Sequence, residues 1–325
     1  ITLDGAVVSS TSWTGADLPD GEHIVAVYDR AGNVTERSFI VDTVSPRLIV
    51  RKNGNIMQSG IFYAAHGDIV AFAVTEDNLD AFTLDSVKIE QREFAADALD
   101  DGSHSVVVTD KAGNSATVTF IVDKTAPSVT LRKNGANVEN GAFYKESTTV
   151  SVLVADDNLD YVVLDGVISD KYSWLASELY EGKHTFSAYD KAGNNCSVMF
   201  TVDKIAPIIM LNTYYGAGDE ISVPVSTDSN FAYVTLSVGS TVVYTGGSTT
   251  WYTDDLEECT YILTVYDKAE NNTTTYFTVD KTAPVFELNP YYRATETIRI
   301  RVSDANLSYI ILDDELITNN NLQAS

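Results

Sequence analysis

Asp190-Lys191-Ala192-Gly193-Asn194, followed by Val202-Asp203-Lys204-Ile205-Ala206-Pro207, decides how this chain folds. The first string recurs as Asp29-Arg30-Ala31-Gly32-Asn33, Asp110-Lys111-Ala112-Gly113-Asn114 and Asp267-Lys268-Ala269-Glu270-Asn271, at steps of 81 (29 to 110), 80 (110 to 190) and 77 residues (190 to 267). The second recurs in the same register as Val41-Asp42-Thr43-Val44-Ser45-Pro46, Val122-Asp123-Lys124-Thr125-Ala126-Pro127 and Val279-Asp280-Lys281-Thr282-Ala283-Pro284. Two markers that hold one register over four copies define a repeat, and this period suits a small domain rather than a solenoid unit. Each Pro fixes its own φ and pushes its predecessor into an extended conformation, so the run before it reads as a short, stiff linker. Boundaries therefore fall near residues 44, 125, 205 and 282. Three full units result, 45–125, 126–205 and 206–282. Residues 1–44 carry only the later strands of a unit and 283–325 only the early ones, as expected of a piece cut from a longer array.

Within 126–205 the pattern is that of strands. Val150, Val152 and Val154 alternate along one face, Asn134-Gly135 is a hairpin turn signal, and residues 184–189 and 196–202 flank the Asp190–Asn194 turn. Turn signals return every 8–12 residues, and only Trp174–Tyr180 has room for a helical turn. About seven strands in a unit of this length read as an antiparallel β-sandwich. The fold class expected is all-β, a string of such sandwiches. A Leu-x-x-Gly-x-His/Tyr pattern precedes the second-last strand of each copy and places His23, His104, His184 and Tyr261 in one position. Tyr serving where His otherwise stands points to a hydrogen-bonded corner, not to acid–base chemistry.

Composition excludes several functions. With 21 Lys+Arg against 46 Asp+Glu among 325 residues, the net charge is −25. Nucleic acid and anionic membrane surfaces both demand the opposite sign. No apolar run is long enough to span a bilayer, and Ile1-Thr2-Leu3-Asp4-Gly5 has neither the basic region nor the cleavage site of a signal peptide. Two cysteines make no disulfide framework. Cys196, in a final strand, and Cys259, in a corner turn, occupy unrelated register positions and are expected to be free thiols, with Cys196 buried.

The Asp-x-Ala-Gly-Asn hairpin followed by Phe-x-Val-Asp-Lys-Thr-Ala-Pro resembles the bacterial immunoglobulin-like domains, which occur in tandem in large adhesins and other cell-surface proteins. The resemblance extends over the whole chain at two motifs per repeat. It departs at 206–282, where Glu270 replaces Gly and the Asn-Gly hairpin region is shorter. It implies an extracellular or cell-surface location and neighbouring Ig-like domains as the first partners.

In an Ig-like sandwich the B–C and F–G loops lie at the end where the first strand begins. That places the loop from Glu76 to Asp80 (with Asp77 and Asp80) beside Asp110, Asn114 and Asp42. At the next junction Asp156, Asp157 and Asp160 join Asp190, Asn194 and Asp123, and at the third Asp203, Asp228, Asn230 and Asp267 remain. Such crowding of carboxylates is relieved by calcium, which takes 6–8 oxygen ligands, and junction calcium is also what the resemblance implies. The alternative is that Asp only caps a tight turn with Gly in the left-handed region, and that the B–C loops are solvated.

A recurring aromatic pair, Phe62-Tyr63, Phe143-Tyr144, Tyr214-Tyr215 and Tyr291-Tyr292, is either a platform for sugar rings or core packing, and its presence in every copy favours packing. Residues 238–254, with Trp251 and Tyr252, are the nearest candidate for a ligand-binding loop. Carboxylate pairs recur in every repeat, as scaffold features do, and no phosphate-binding loop or zinc set is present. The expected role is a non-catalytic stalk of a secreted or surface-anchored protein. The alternatives are a module that binds host protein or glycan, or an accessory array of a large extracellular hydrolase.

Overall fold

The computed structural model describes residues 1–58, 60–224, 230–298 and 300–317. It divides into two compact units, one of residues 1–130, 153–170 and 186–198, the other of 131–152, 171–185 and 199–325. Both are built of β-strands with a few 3₁₀ turns.

In the first unit, residues 45–125 form two sheets. One runs Val87–Lys88, Leu79–Leu84, Gly102–Asp110, Ser115–Val122, Phe62–Ala64, and its last pair is parallel. The other runs Glu93–Ala95, Ile69–Thr75, Arg47–Lys52, Asn55–Ile56. The alternation of Gly102–Asp110 turns His104, Val106, Val108 and Asp110 inward. Val106 and Phe120 from one sheet share a core with Val50, Phe72 and Phe94 from the other, which makes the pair a sandwich. Phe120 is fully buried and stacks on Phe62 at 5.3 Å and on His104 at 5.3 Å. Residues 2–41 form one four-stranded sheet, with Gly21–Tyr28 paired to Val34–Val41. In the same unit Leu159–Leu164 pairs with Val167–Ser169 and, through Val162 and Ala188, with the strand that leads to Asp190.

In the second unit, residues 206–282 carry a five-stranded sheet with Phe231–Val238, Thr260–Asp267 and Asn272–Val279 at its centre, and a pair formed by Glu220–Ser222 with Thr250–Tyr252. Ile221, Leu236, Leu263 and Phe277 are its fully buried centre. Residues 206–212 form no strand here, unlike Arg47–Lys52 and Ser128–Lys133 at the same place after the linker Pro. They lack the Asn-Gly hairpin that gives the other two a return strand. Ile209 and Leu211 still pack on the core.

Several expectations are refined. The Asn-Gly turns at 53–54 and 134–135 have both residues at positive φ, the geometry that matches strand twist. The corner residues lie inside the strand, since it starts at Gly102 and Gly182, two residues before the His. The helical turn within Trp174–Tyr180 is a 3₁₀ turn at Ala176–Glu178, repeated at Gly15–Asp17, Ala96–Ala98 and Thr253–Asp255. Cys196 and Cys259 are both free, but Cys196 is half-buried rather than buried, because it shares the core face of Val198, Phe200 and Val202 yet stands near the turn end of its strand.

In the three full units one member of the aromatic pair packs, whereas Tyr291 is exposed. Tyr144 and Tyr215 are buried and meet Phe200 and Phe277 edge-on, at 5.6 and 5.8 Å. In residues 45–125 the register differs by one. Ala64 pairs with Val122 as Tyr144 pairs with Val202, so Ala64 fills the tyrosine's place and Phe62 lies flat on Phe120. Burial pushes the Tyr144 hydroxyl up to about 12. Trp251 packs against the core and meets Tyr244 edge-on at 5.7 Å, so it is no free platform, whereas Tyr252 is exposed.

Candidate metal centre

The linker is tied on both sides. Toward the preceding corner, Lys124 N donates to Asp101 Oδ1 (3.1 Å) and Lys124 Nζ to Leu99 O (2.7 Å). Toward the following turn, Asn194 Nδ2 donates to Asp123 O (2.8 Å). The next linker repeats this: Lys204 N donates to Glu181 Oε2 (2.9 Å), Lys204 Nζ to Leu179 O (2.6 Å), and Asn271 Nδ2 to Asp203 O (2.8 Å). The Lys and Asn of the two markers therefore serve the same peptide from opposite sides.

Asp190 caps its own hairpin. Its Oδ1 accepts the N–H groups of Gly193 (2.7 Å) and Asn194 (2.9 Å), and its Oδ2 accepts Asn194 Nδ2 (2.8 Å). Asp123 Oδ1 accepts Thr125 N (3.1 Å) and its Oδ2 accepts Asn158 Nδ2 (2.7 Å). Asp156 Oδ1 accepts Asn158 N (2.7 Å). One carboxylate oxygen from each of Asp123, Asp156 and Asp190 lies within 4.8 Å of the others. Asp123 and Asp190 are buried and Asp156 half-buried. Among the described residues no Lys, Arg or His salt bridge reaches any of the three. At that spacing each pair of full charges repels by roughly 3.5 kcal/mol at an effective dielectric of about 20. The Asp156 carboxyl is accordingly held above its usual range, by burial first and then by the charges of Asp123, Asp190 and Asp157, with the Asn158 N–H acting against them. Three hard oxygen donors with an amide beside them suit calcium or magnesium rather than zinc.

The other junctions share the ties but not the convergence. At the first, Asn114 Nδ2 bridges Asp42 O (2.9 Å) and Asp110 Oδ2 (2.8 Å). Burial raises Asp110, but hydrogen bonds from Asn114, Gly113 and Ala112 outweigh it and hold the carboxyl below its usual range. Glu76 occupies the place of Asp156 and accepts Asn78 N (2.9 Å), and Asp42 is half-buried. No second group of three meets the spacing above among the described residues. Asp77, Asp157 and Asp160 are exposed and outside the group, and Asp80 turns away to Lys88, 3.9 Å from its ammonium. At the third junction Asn230 Nδ2 donates to Asp203 Oδ2 (3.0 Å) and Asn271 Nδ2 to Asp267 Oδ2 (2.8 Å), while Asp228 lies outside the described residues.

Two features escaped sequence reasoning. Asn158, the asparagine that clasps the Asp123 carboxylate, was overshadowed by the acids around it. The second residue of the Asp-Lys-Ala-Gly-Asn turn reaches back to an aromatic ring of the preceding repeat: Lys191 Nζ lies 5.6 Å from the Tyr63 ring centre and Lys268 Nζ 5.6 Å from that of Phe143. Lys or Arg at this place in every copy, together with the aromatic pair, was the available signal. Glu270 stands at φ +71, where other copies have Gly, at a cost of about 1–2 kcal/mol, and its carboxylate meets Lys133 Nζ at 3.0 Å.

Residues 88–171 match the family model of the bacterial Ig-like domain (group 3). No protein of established function matches the chain closely in sequence. Among solved structures, the mixed-linkage glucan protein SGBP-B of Bacteroides ovatus is 16% identical, covering 75% of this chain and 74% of its own, with a TM-score of 0.20. The fibronectin(III)-like modules of Clostridium thermocellum CbhA are 16% identical over 48% of this chain and 94% of theirs (TM-score 0.25), and Sidekick-1 immunoglobulin domains 1–4 are 11% identical over 84% of each (TM-score 0.25). At TM-scores of this size they bear on neither partner nor activity. Residues 88–171 thus carry the bacterial Ig-like match, and the four-fold markers and all-β sheets along the chain are consistent with tandem repeats of that type.

Proposed function

We propose that the array is a non-catalytic spacer of an extracellular bacterial protein, with one calcium ion at the junction that opens residues 126–205. The observation that carries the spacer reading is the linker peptide bonded from both sides, by Lys124 and Asn194 and again by Lys204 and Asn271. A linker held in this way transmits the orientation of one repeat to the next. The net charge of −25 keeps such an array soluble and unassociated. Ig-like families are generally non-catalytic, and no helix is long and apolar enough to cross a membrane.

Asp123, Asp156 and Asp190 would hold the ion, which would neutralise their mutual repulsion. Thermal unfolding of the whole chain in chelator and then in millimolar calcium tests this. The expected result is an upward shift that Asp156→Asn abolishes. Superimposable curves would reduce the three acids to turn caps. Small-angle scattering of the same chain tests the spacer. The wild-type distance distribution should be narrow and should broaden in a Lys124→Ala/Lys204→Ala/Asn194→Ala variant. An equally broad wild-type distribution would make the array a loose tether.

A further inference from the structure

The corner of each repeat holds a ring bonded to the carbonyl four residues earlier. His104 Nε2 is 2.8 Å from Asp100 O, His23 Nε2 is 2.8 Å from Pro19 O, and Tyr261 Oη donates to Glu257 O at 3.3 Å. The phenol also accepts Glu257 N at 2.9 Å, so a neutral group satisfies that corner. An imidazole has a second nitrogen, and in the His104 and His23 corners it meets a carboxylate. His104 Nδ1 is 2.7 Å from Asp85 Oδ2, and His23 Nδ1 is 2.7 Å from Asp4 Oδ2.

A carbonyl oxygen only accepts hydrogen bonds, and so does an ionised carboxylate. A neutral imidazole carries one N–H. Whichever tautomer it adopted, one ring lone pair would face an oxygen at under 3 Å. Both contacts are satisfied only when both nitrogens are protonated. The carboxylate is also held in place: Asp85 Oδ1 accepts Ser105 N at 2.9 Å, and Asp4 Oδ1 accepts Ile24 N at 2.8 Å. The charged groups facing His104 are Asp85 and Asp100, and Phe120 stacks on its ring at 5.3 Å. Facing His23 is Asp4, with Phe39 stacked at 5.5 Å. Both histidines are buried.

We propose that His104 and His23 are imidazolium ions in the folded chain, so that each of these corners binds a proton whose loss destabilises its repeat, whereas the Tyr261 corner is indifferent to pH. The direction of titration agrees. For His104, burial favours the neutral ring, but the Asp100 carbonyl, the Asp85 hydrogen bond and the two acidic charges outweigh it and raise the pKa. For His23, the Pro19 carbonyl and Asp4 raise it against burial. A raised folded-state value means that the stabilisation is complete below the ordinary histidine range and is lost as pH rises through the folded value. Asp85 and Asp4 are lowered, so their share persists down to the carboxylate range.

The test is ring ¹⁵N spectroscopy of the whole chain across about pH 5 to 9, with His104 assigned by its disappearance in His104→Tyr. Both His104 nitrogens are expected to keep their protons at a pH just above the ordinary histidine range. The melting temperature of residues 45–125 should depend less on pH in His104→Tyr, which mimics the Tyr261 corner. A neutral tautomer at that pH, or equal pH dependence in the two proteins, overturns the proposal. Should His104→Tyr fail to fold, Asp85→Asn keeps an acceptor but removes the charge. It should move the His104 titration down, and an unmoved titration overturns the proposal equally.

Discussion

The junction opening residues 45–125 and the one opening 126–205 are built from the same motif, yet only the second gathers three carboxylates. In both, a turn asparagine bridges its own Asp and the linker carbonyl, Asn114 to Asp42 O at 2.9 Å and Asn194 to Asp123 O at 2.8 Å. In both, the turn's second residue donates its N–H to the B–C asparagine, Lys111 to Asn78 O and Lys191 to Asn158 O. Among the acids they differ in Glu76 against Asp156 and in the depth of the linker acid, half-buried Asp42 against buried Asp123. Backbone-directed contacts thus survive repetition.

Calcium gives the sharpest test of that difference. At a hundredfold excess over Kd, a single site should stabilise by about 2.7 kcal/mol. Asp156→Asn should remove the effect, and Glu76→Asp at the first junction should add a second, calorimetrically countable site. A Glu76→Asp chain that still binds one ion would show that the depth of Asp123, not side-chain length, sets the contrast.

Next in size are the asparagines. Asn194→Ala leaves the buried Asp190 without its amide donor and unties the linker, for a loss of about 1–3 kcal/mol in denaturant unfolding. Asn114→Ala should cost the same within error, because the turn geometry matches. Unequal losses would break the equivalence of the two turns.

Metal-free, Asp156→Asn should stabilise the chain, as repulsion from Asp123 and Asp190 disappears. The sign with pH follows from the shifts. Asp156 is raised, so its folded form gains relative stability as pH falls into the carboxylate range, while Asp110, lowered, loses it there. Acid titration of wild type against Asp156→Asn, in chelator, checks this; identical profiles would mean the three acids do not interact.

Smallest is Lys191→Ala, which removes the contact with Tyr63 and should cost about 0.5–1 kcal/mol. Lys111→Ala should cost less, since among the described residues no ring lies over Lys111. Differential scanning of the two variants ranks them.

Much of this was legible in the sequence, for definite reasons. Gly and Asn-Gly mark positive φ, valines at every second place mark a buried face, and Pro marks the linker, so strands and repeats could be read from local chemistry. The corner could be read because His and Tyr share the one ability that it needs. Legibility ended where an outcome depended on register or direction. Phe62-Tyr63 looked like Phe143-Tyr144 but sits one residue out of step, with Ala64 in the buried place. Trp251 looked like a platform and is wedged against the core. Of the acids around the second junction, Asp157 and Asp160 point to water.

By itself, then, the sequence determined the repeat and its all-β class, because φ preferences, alternation and chain stiffness act within a few residues. Only the tertiary structure decided which carboxylates converge, which lysine reaches which ring, and that the corner histidine faces acceptors at both nitrogens. Each of those depends on the meeting of segments up to about 130 residues apart, such as Tyr63 with Lys191, and local propensity carries no information about distances of that kind.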